Sequence, residues 1–273
     1  MKVLNGSELS GYIKERQAKQ VRALRQAEGI QPKLAIIKTI DDPVIASYVG
    51  KKKAYGADIL IEVDIYDVSS DQLFDTIKKL NADDTVHGII VQLPLSDMSQ
   101  TEEAVNLVAS EKDVDGLSSG ATLVPATPMA IDWLLAGYNV DLKDKKIAIV
   151  GRGRLVGAPL EKLWLAAGHD VEVFDKQSTN TFERLPHMDV IVTATGVPGL
   201  IKSEHIKQGA AVVDAATASE KGKIVGDVAD DVRENRDDIA ITPVKGGVGP
   251  LTVCALFDNV IRAARNQAEL KND

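Results

Sequence analysis

Cysteine is nearly absent: Cys254 is the single one in 273 residues, so no intrachain disulfide can form and the fold must hold without cross-links. Aromatic residues make up only 4%. The interior therefore has to be filled by Ala, Val, Ile and Leu, the usual filling of parallel strands covered by helices on both faces. No apolar run nears the roughly 18 residues of a membrane span, and "KKIAIVG" has only the length of a strand. The opening "MKVLNGSELSGYIKERQ" meets charge before any signal-like apolar core develops, which points to the cytoplasm. Positive charge is also in short supply. With 32 basic against 40 acidic side chains, the net charge is −8, which argues against a general nucleic-acid surface and leaves room only for a local anion site. The four histidines, His87, His169, His187 and His205, form no ligand cluster with Cys254, so no metal is expected.

What is present is a core-forming composition, 44% hydrophobic and 26% charged, in a chain long enough for two modest domains. Strand-like and helical patterns alternate along it. "GSELSGYIKERQAKQVRALRQAEG" has helical spacing with a stop at Gly29, "KLAIIK" (33–38) reads as a buried strand, and Asp42-Pro43 opens a helix. Strands follow at 58–66 and 86–95, with a capped helix between them. This is a βαβ rhythm, the mark of an α/β fold. Turn residues and prolines in "KDVDGLSSGATLVPATPM" place a domain crossover between about 112 and 130. Beyond it "KKIAIVG", "HDVEVFD", "MDVIVTATG", "GAAVVDAAT" and "IAITPV" are short strand candidates of a second, nucleotide-binding type of α/β domain. The chain closes on a helix with an apolar stripe at Val253, Leu256, Val260 and Ile261.

The sharpest generic feature is "KKIAIVGRGRLVGAPL". Gly151, Gly153 and Gly157 follow an apolar strand and open a helix, where small residues let backbone N–H groups and a helix N-terminus approach a pyrophosphate. The spacing is G-x-G-x-x-x-G rather than the common G-x-G-x-x-G. The next strand ends at Asp175, near the usual distance for a carboxylate that accepts ribose hydroxyls of NAD. Arg152, Arg154 and Lys176 supply the opposite charge that a 2′-phosphate would need, so NAD and NADP both stay open.

A second set of polar residues lies in the first half. Tyr48 and Lys52 in "SYVGKKK" are four apart and share a helix face. Gln92 stands where the strand "HGIIVQLPL" becomes a loop and can orient water or substrate. Asp113 and Asp115 alternate in "KDVDG", so that Asp115 can anchor a polar heterocycle while Asp113 holds the loop. In "TPVKGGVGPLT", two prolines stiffen a glycine-rich turn suited to wrapping a ligand.

Taken in order, "SYVGKKK", "GIIVQLPL", "KDVDG", "PATP", "GRGRLVGAP", "GDV" and "TPVKGGVGPLT" resemble the bifunctional methylenetetrahydrofolate dehydrogenase/methenyltetrahydrofolate cyclohydrolase family over nearly the whole chain. The resemblance implies a two-domain α/β protein: residues 1–120 an N-terminal folate-binding and catalytic domain, 121–250 a Rossmann-like NAD(P)-binding domain flanking a cleft with it, and 251–273 a helix packing back toward the first. It implies oxidation of 5,10-methylenetetrahydrofolate with NADP or NAD, then hydrolysis of the methenyl cation to 10-formyltetrahydrofolate. It also implies a homodimer with a place in one-carbon metabolism and purine biosynthesis. Lys52 matches the catalytic lysine, with Tyr48 its stacked neighbour and Gln92 its polar partner, although the family's K-x-K also matches Lys51 and Lys53. Asp115, Tyr48, Gln92, Gly247 and Pro250 match folate contacts. Gly151, Arg152, Gly153, Arg154, Val156 and Gly157 match the cofactor turn, and Asp175, Ser178 and Thr195 are placed with the same ligand.

The departures from the family pattern concentrate in the cofactor half. The usual Arg-Ser is Arg152-Gly153, "VIDVG" is "VVDAAT", "PVPGG" is "PVKGG", and Cys-His-Ser becomes "DKQS". A cyclohydrolase with weak or absent dehydrogenase activity, a two-domain ligand-binding protein without turnover, and an NAD-dependent dehydrogenase of another class are the competing readings.

Overall fold

The computed structural model describes residues 1–216, 218–220 and 223–272. Thr217, the last residue of the expected strand segment 209–217, and Asp273, the end of the expected final helix, lie outside the described residues. In chain order the first elements are β1 (Lys2–Val3), α1 (Gly6–Ala27), β2 (Lys33–Lys38), α2 (Pro43–Asp58), β3 (Glu62–Asp67), α3 (Leu73–Asn81), β4 (Gly88–Val91), α4 (Thr101–Leu107) and α5 (Ala126–Gly137). Then follow β5 (Lys146–Val150), α6 (Gly157–Ala166), β6 (Asp170–Phe174), α7 (Thr181–Arg184), β7 (Val190–Thr193), β8 (Ala211–Asp214), β9 (Ala218–Glu220), β10 (Lys223–Val225), α8 (Asp230–Asn235), β11 (Ala240–Ile241) and α9 (Val248–Asn272).

Two compact units divide the chain. One holds Gly11–Ala126 with Val253–Asp273, the other Met1–Ser10 with Thr127–Thr252. The first unit carries a three-stranded sheet of order β3-β2-β4, parallel throughout. Leu34, Ala35, Ile36 and Ile37 of β2 are all wholly buried, as befits a central strand covered on both faces. On α3, Leu73, Ile77 and Leu80 are buried at helical spacing and join β2 and β4 in one core with Val86, Ala104 and Val105. Gly29 takes φ +67° just past α1, a conformation natural to glycine that ends the helix. The strand expected from residue 58 starts only at Glu62, because α2 runs on to Asp58 and the chain then turns through Leu60 at φ +66°.

The second unit is a six-stranded sheet of order β1-β11-β8-β7-β5-β6, in which every pairing is parallel. Its core includes Val150, Phe174, Ile191, Val212, Val232 and Ile241. Two elements escaped the sequence reading. An antiparallel pair, β9 with β10, follows β8. The amino terminus also supplies an edge strand: Lys2 pairs with Ala240 and Val3 with Ile241, locked by Lys2 N–H to Ile239 O at 2.9 Å and Leu4 N–H to Ile241 O at 2.9 Å. That pairing moves residues 1–10 into the unit of residues 127–252, where the motif boundaries had put them in the first domain.

Candidate functional site

In the unit of residues 11–126 and 253–273, three elements bring Lys52, Gln92 and Asp115 together. Asp42 caps α2 by accepting from Val44 N–H (2.8 Å) and Ile45 N–H (3.1 Å), with Pro43 in the first turn. The cap sets the helix phase, and the buried face is Ile45, Val49 and Gly56. Lys52 falls on that same stripe, at the i, i+4, i+7, i+11 positions, while Lys51 and Lys53 flank it and are exposed. A methyl group at Gly56 would come within 2.5 Å of the Val63 side chain, so this glycine lets α2 lie close on β3.

Gln92 follows the last residue of β4 and is held by its own N–H to Ile37 O at 2.8 Å. Its side-chain nitrogen donates to Leu93 O at 3.0 Å, which leaves Oε1 to accept from Lys52 Nζ at 2.9 Å. Burial draws the Lys52 ammonium below its ordinary pKa, and the Asp115 carboxylate opposes that. Burial likewise pushes the Asp115 carboxyl up, with Lys52 holding it back.

The loop carrying Asp115 is built by its neighbours. Asp113 accepts from the N–H groups of Gly116 (3.0 Å) and Ser118 (2.9 Å). Lys112 is buried and donates to Leu80 O, Asn81 O and Asp83 O at 2.7–3.1 Å, so it satisfies the carbonyls at the end of α3. Asn259 of α9 donates to Val114 O at 2.9 Å and Val124 O at 2.8 Å. Neither Lys112 nor Asn259 stood out in the sequence, since nothing local marks a lysine or asparagine as buried. Tyr48 lies one turn before Lys51 and Lys52 on α2. Its ring lies under Lys51, with Nζ 5.5 Å from the centroid, because residues 48 and 51 are one turn apart on the exposed side of α2.

The other unit contains the glycine turn. Gly151 has φ +99°, and a methyl group there would meet Ala194 O at 2.7 Å; one at Gly157 would meet Gly151 O at 1.8 Å. These two glycines are required by the chain itself, which folds back to start α6 against β5. Around Gly153, by contrast, nothing lies within 4 Å of a notional methyl group, and Arg152, Gly153 and Arg154 are exposed while Val156 is half-buried ahead of α6. An open, exposed glycine at the mouth of a helix N-terminus, at the carboxyl end of a parallel strand, is the arrangement that admits a dinucleotide pyrophosphate.

Asp175 and Ser178 fold onto each other after β6. Ser178 Oγ donates to Asp175 Oδ1 at 3.3 Å, and Gln177 N–H donates to the same oxygen at 2.9 Å. Beyond β7, Thr195 N–H donates to Asp227 Oδ2 at 2.6 Å, as does Thr193 Oγ1 at 2.6 Å. Asp227, which the sequence offered only inside the "GDV" motif, is thus the anchor of the β7 exit loop. In turn Asp214 accepts from the N–H groups of Asp227 and Val228, both at 3.1 Å.

The late glycine loop also belongs to this unit. Gly247 is buried, with Thr242 Cβ 3.0 Å from a notional methyl group and its own carbonyl 1.9 Å from one on Gly6, so packing explains that glycine. Gly249 is exposed and has nothing within 4 Å. Pro250 sits in the first turn of α9, where its missing N–H costs no helical bond. Among the described residues, no group of three or more His, Cys, Asp or Glu is placed to hold a metal ion, and no helix is long and apolar enough to cross a membrane.

A parallel β-sheet unit with a glycine-rich strand-to-helix turn, joined in one chain to an α/β unit of equal size bearing a half-buried lysine, defines a two-domain α/β protein of nucleotide-binding type. The chain belongs to the tetrahydrofolate dehydrogenase/cyclohydrolase family: the model of its catalytic domain matches residues 4–115, and that of its NAD(P)-binding domain residues 125–268. The bifunctional protein FolD of Macrococcus caseolyticus is 38% identical over 97% of this chain and 98% of its own. A crystal structure of the bifunctional FolD methylenetetrahydrofolate dehydrogenase/cyclohydrolase of Campylobacter jejuni superposes with a TM-score of 0.91 at 34% identity, covering 97% of this chain and 99% of that one. The methylenetetrahydrofolate dehydrogenase-cyclohydrolase (FolD) of Trypanosoma brucei, solved with NADP cofactor and inhibitor, gives 0.90 at 28% identity over 97% of each chain.

Proposed function

We propose that this chain oxidises 5,10-methylenetetrahydrofolate with NAD(P)+ and hydrolyses the resulting 5,10-methenyl cation to 10-formyltetrahydrofolate. The observation that carries this is the Lys52 Nζ to Gln92 Oε1 hydrogen bond of 2.9 Å, beside Asp115, in a chain whose full-length relatives are FolD proteins. Lys52, Gln92 and Tyr48 form the catalytic group, with Asp115, Gly247 and Pro250 as further folate contacts. Gly151, Arg152, Gly153, Arg154, Val156, Gly157, Asp175, Ser178 and Thr195 form the cofactor group, and the open face at Gly153 fits a bound pyrophosphate. Bound there, NAD(P)+ supplies the hydride acceptor.

For the hydrolytic step the chain's own residues provide the proton path. Water adds to the one-carbon bridge of the cation and must lose a proton as the C–O bond forms. A lysine whose pKa is lowered by burial offers a larger share of neutral amine to take that proton. The Gln92 amide, locked by Leu93 O, keeps the amine in place. As the C–N5 bond breaks, N5 gains a proton and the new hydroxyl loses one, so that one proton in all passes to solvent. Asp115, beside Lys52, can hydrogen-bond the pterin ring.

The resemblance further supports a homodimer acting in one-carbon metabolism and purine biosynthesis, and a single buried cysteine suits the cytoplasm. A paired assay on the pure protein tests the reading: NAD+ and NADP+ reduction with 5,10-methylenetetrahydrofolate, and decay of 5,10-methenyltetrahydrofolate above the buffer rate. Both activities are expected. Hydrolysis alone would reduce the chain to a cyclohydrolase, and neither would overturn the proposal.

A further inference from the structure

The charges around the glycine turn bear on which dinucleotide it takes. Arg152 is one of three basic residues near the turn, with Arg154 and Lys176, that could face a 2′-phosphate, and its guanidinium is engaged: Nε donates to Glu161 Oε2 at 2.8 Å and Nη2 to Oε1 at 3.4 Å. Glu161 stands on α6 four residues after Gly157, one turn along and on the same face as the glycine turn. Asp175, at the end of β6, adds its negative field to the same guanidinium. Its carboxylate is fixed by Gln177 N–H and Ser178 Oγ at the strand end where a ribose is received in folds of this type. Two carboxylates therefore bracket Arg152, while Arg154 and Lys176 are exposed.

We propose that Asp175, together with Glu161 holding Arg152, makes this chain select NAD+ over NADP+. Asp175 accepts from the ribose hydroxyls of NAD+ and repels a 2′-phosphate. Glu161 is a positioning residue that keeps the Arg152 guanidinium from turning toward that phosphate. This inference rests on the cofactor reading of the turn proposed above.

Calorimetric titration of the full-length protein with NAD+ and with NADP+, at low and at raised salt, tests it without reference to turnover. Two exposed charge effects of roughly two- to fivefold each give an expected preference for NAD+ of about tenfold, shrinking as salt rises. Glu161→Gln should narrow the ratio about threefold, Glu161→Asp should restore it, and Asp175→Asn should narrow it further. Equal or tighter binding of NADP+ by the unaltered chain would overturn the selectivity while leaving the dehydrogenase reading intact. A ratio indifferent to Glu161→Gln would overturn the role of Glu161. Binding of neither nucleotide would overturn this inference and the oxidative half of the proposed function together.

Discussion

Gln92 is committed on both ends of its amide, donating to Leu93 O at 3.0 Å and accepting from Lys52 Nζ at 2.9 Å. The lysine is thereby given one fixed direction out of the three its ammonium offers. Lys52→Gln should cost methenyl hydrolysis about 100-fold or more, the usual worth of a positioned acid-base group, and should leave the melting temperature close to that of the unaltered protein. Gln92→Met, which removes the acceptor and keeps the volume, should cost about tenfold in kcat. Undiminished hydrolysis by Lys52→Gln, with Lys51→Gln inactive instead, would move the catalytic role one residue along α2.

The pair formed by Lys52 and Asp115 makes stability depend on pH in a definite sense. Asp115 is raised above its ordinary 3.8, so the folded chain holds that proton more tightly than the unfolded one. Its contribution is complete below about pH 3.8 and is lost as pH rises through the folded value. Asp115→Asn should therefore melt at the same temperature as the unaltered protein or higher at pH 7, and bind folate less tightly. A clear drop in melting temperature at neutral pH would show instead that the carboxylate is a net stabiliser through Lys52.

Two glycines of one turn should behave oppositely. Gly157→Ala places a methyl group 1.8 Å from a backbone oxygen, and should cost about 1–3 kcal/mol through forced displacement. Gly153→Ala meets nothing and should leave stability within about 0.5 kcal/mol, raising only the KM for the dinucleotide. Denaturant unfolding alongside steady-state kinetics separates the two.

Asp227 is wholly buried and gathers two donors on one oxygen. Asp227→Ala would strand Thr193 Oγ1 and the Thr195 N–H inside the unit, at a cost of about 1–3 kcal/mol each if left unsatisfied. Because Thr195 belongs to the loop leaving β7, the variant should also bind dinucleotide less tightly, which calorimetry would read. Unchanged affinity in a destabilised protein would confine Asp227 to a structural role.

Sequence patterns conveyed the parallel strands well, because β2, β5 and β7 are short apolar runs bounded by turns and each is buried on both faces. That Lys52, and not Lys51, is turned inward was also present in the pattern: Ile45, Val49, Lys52 and Gly56 form one helical stripe, a better guide to burial than the interval from Tyr48. Other features have no local signature. Strand β1 is two residues long and shows no period, and its partner β11 is just as short, so only the folded chain reveals the pairing. The Arg152–Glu161 contact depends on the shape of the turn, and the burial of Lys112 on three carbonyls at the end of α3. Gly247, read as a place for ligand, also has a packing reason that the sequence does not reveal, the close approach of Gly6 and Thr242.

The pairing of Lys2 and Val3 with Ala240 and Ile241 has a consequence for synthesis. Lys2 and Val3 find their partner strand only once Ala240 and Ile241 have been made, and the unit of residues 11–126 likewise waits for Val253 onward. Neither half is a self-sufficient piece. Cutting the gene at residue 120 would yield two fragments each carrying a share of the other's core, and the place to divide the protein, for expression or for circular permutation, is set by that interlacing rather than by the order of its motifs.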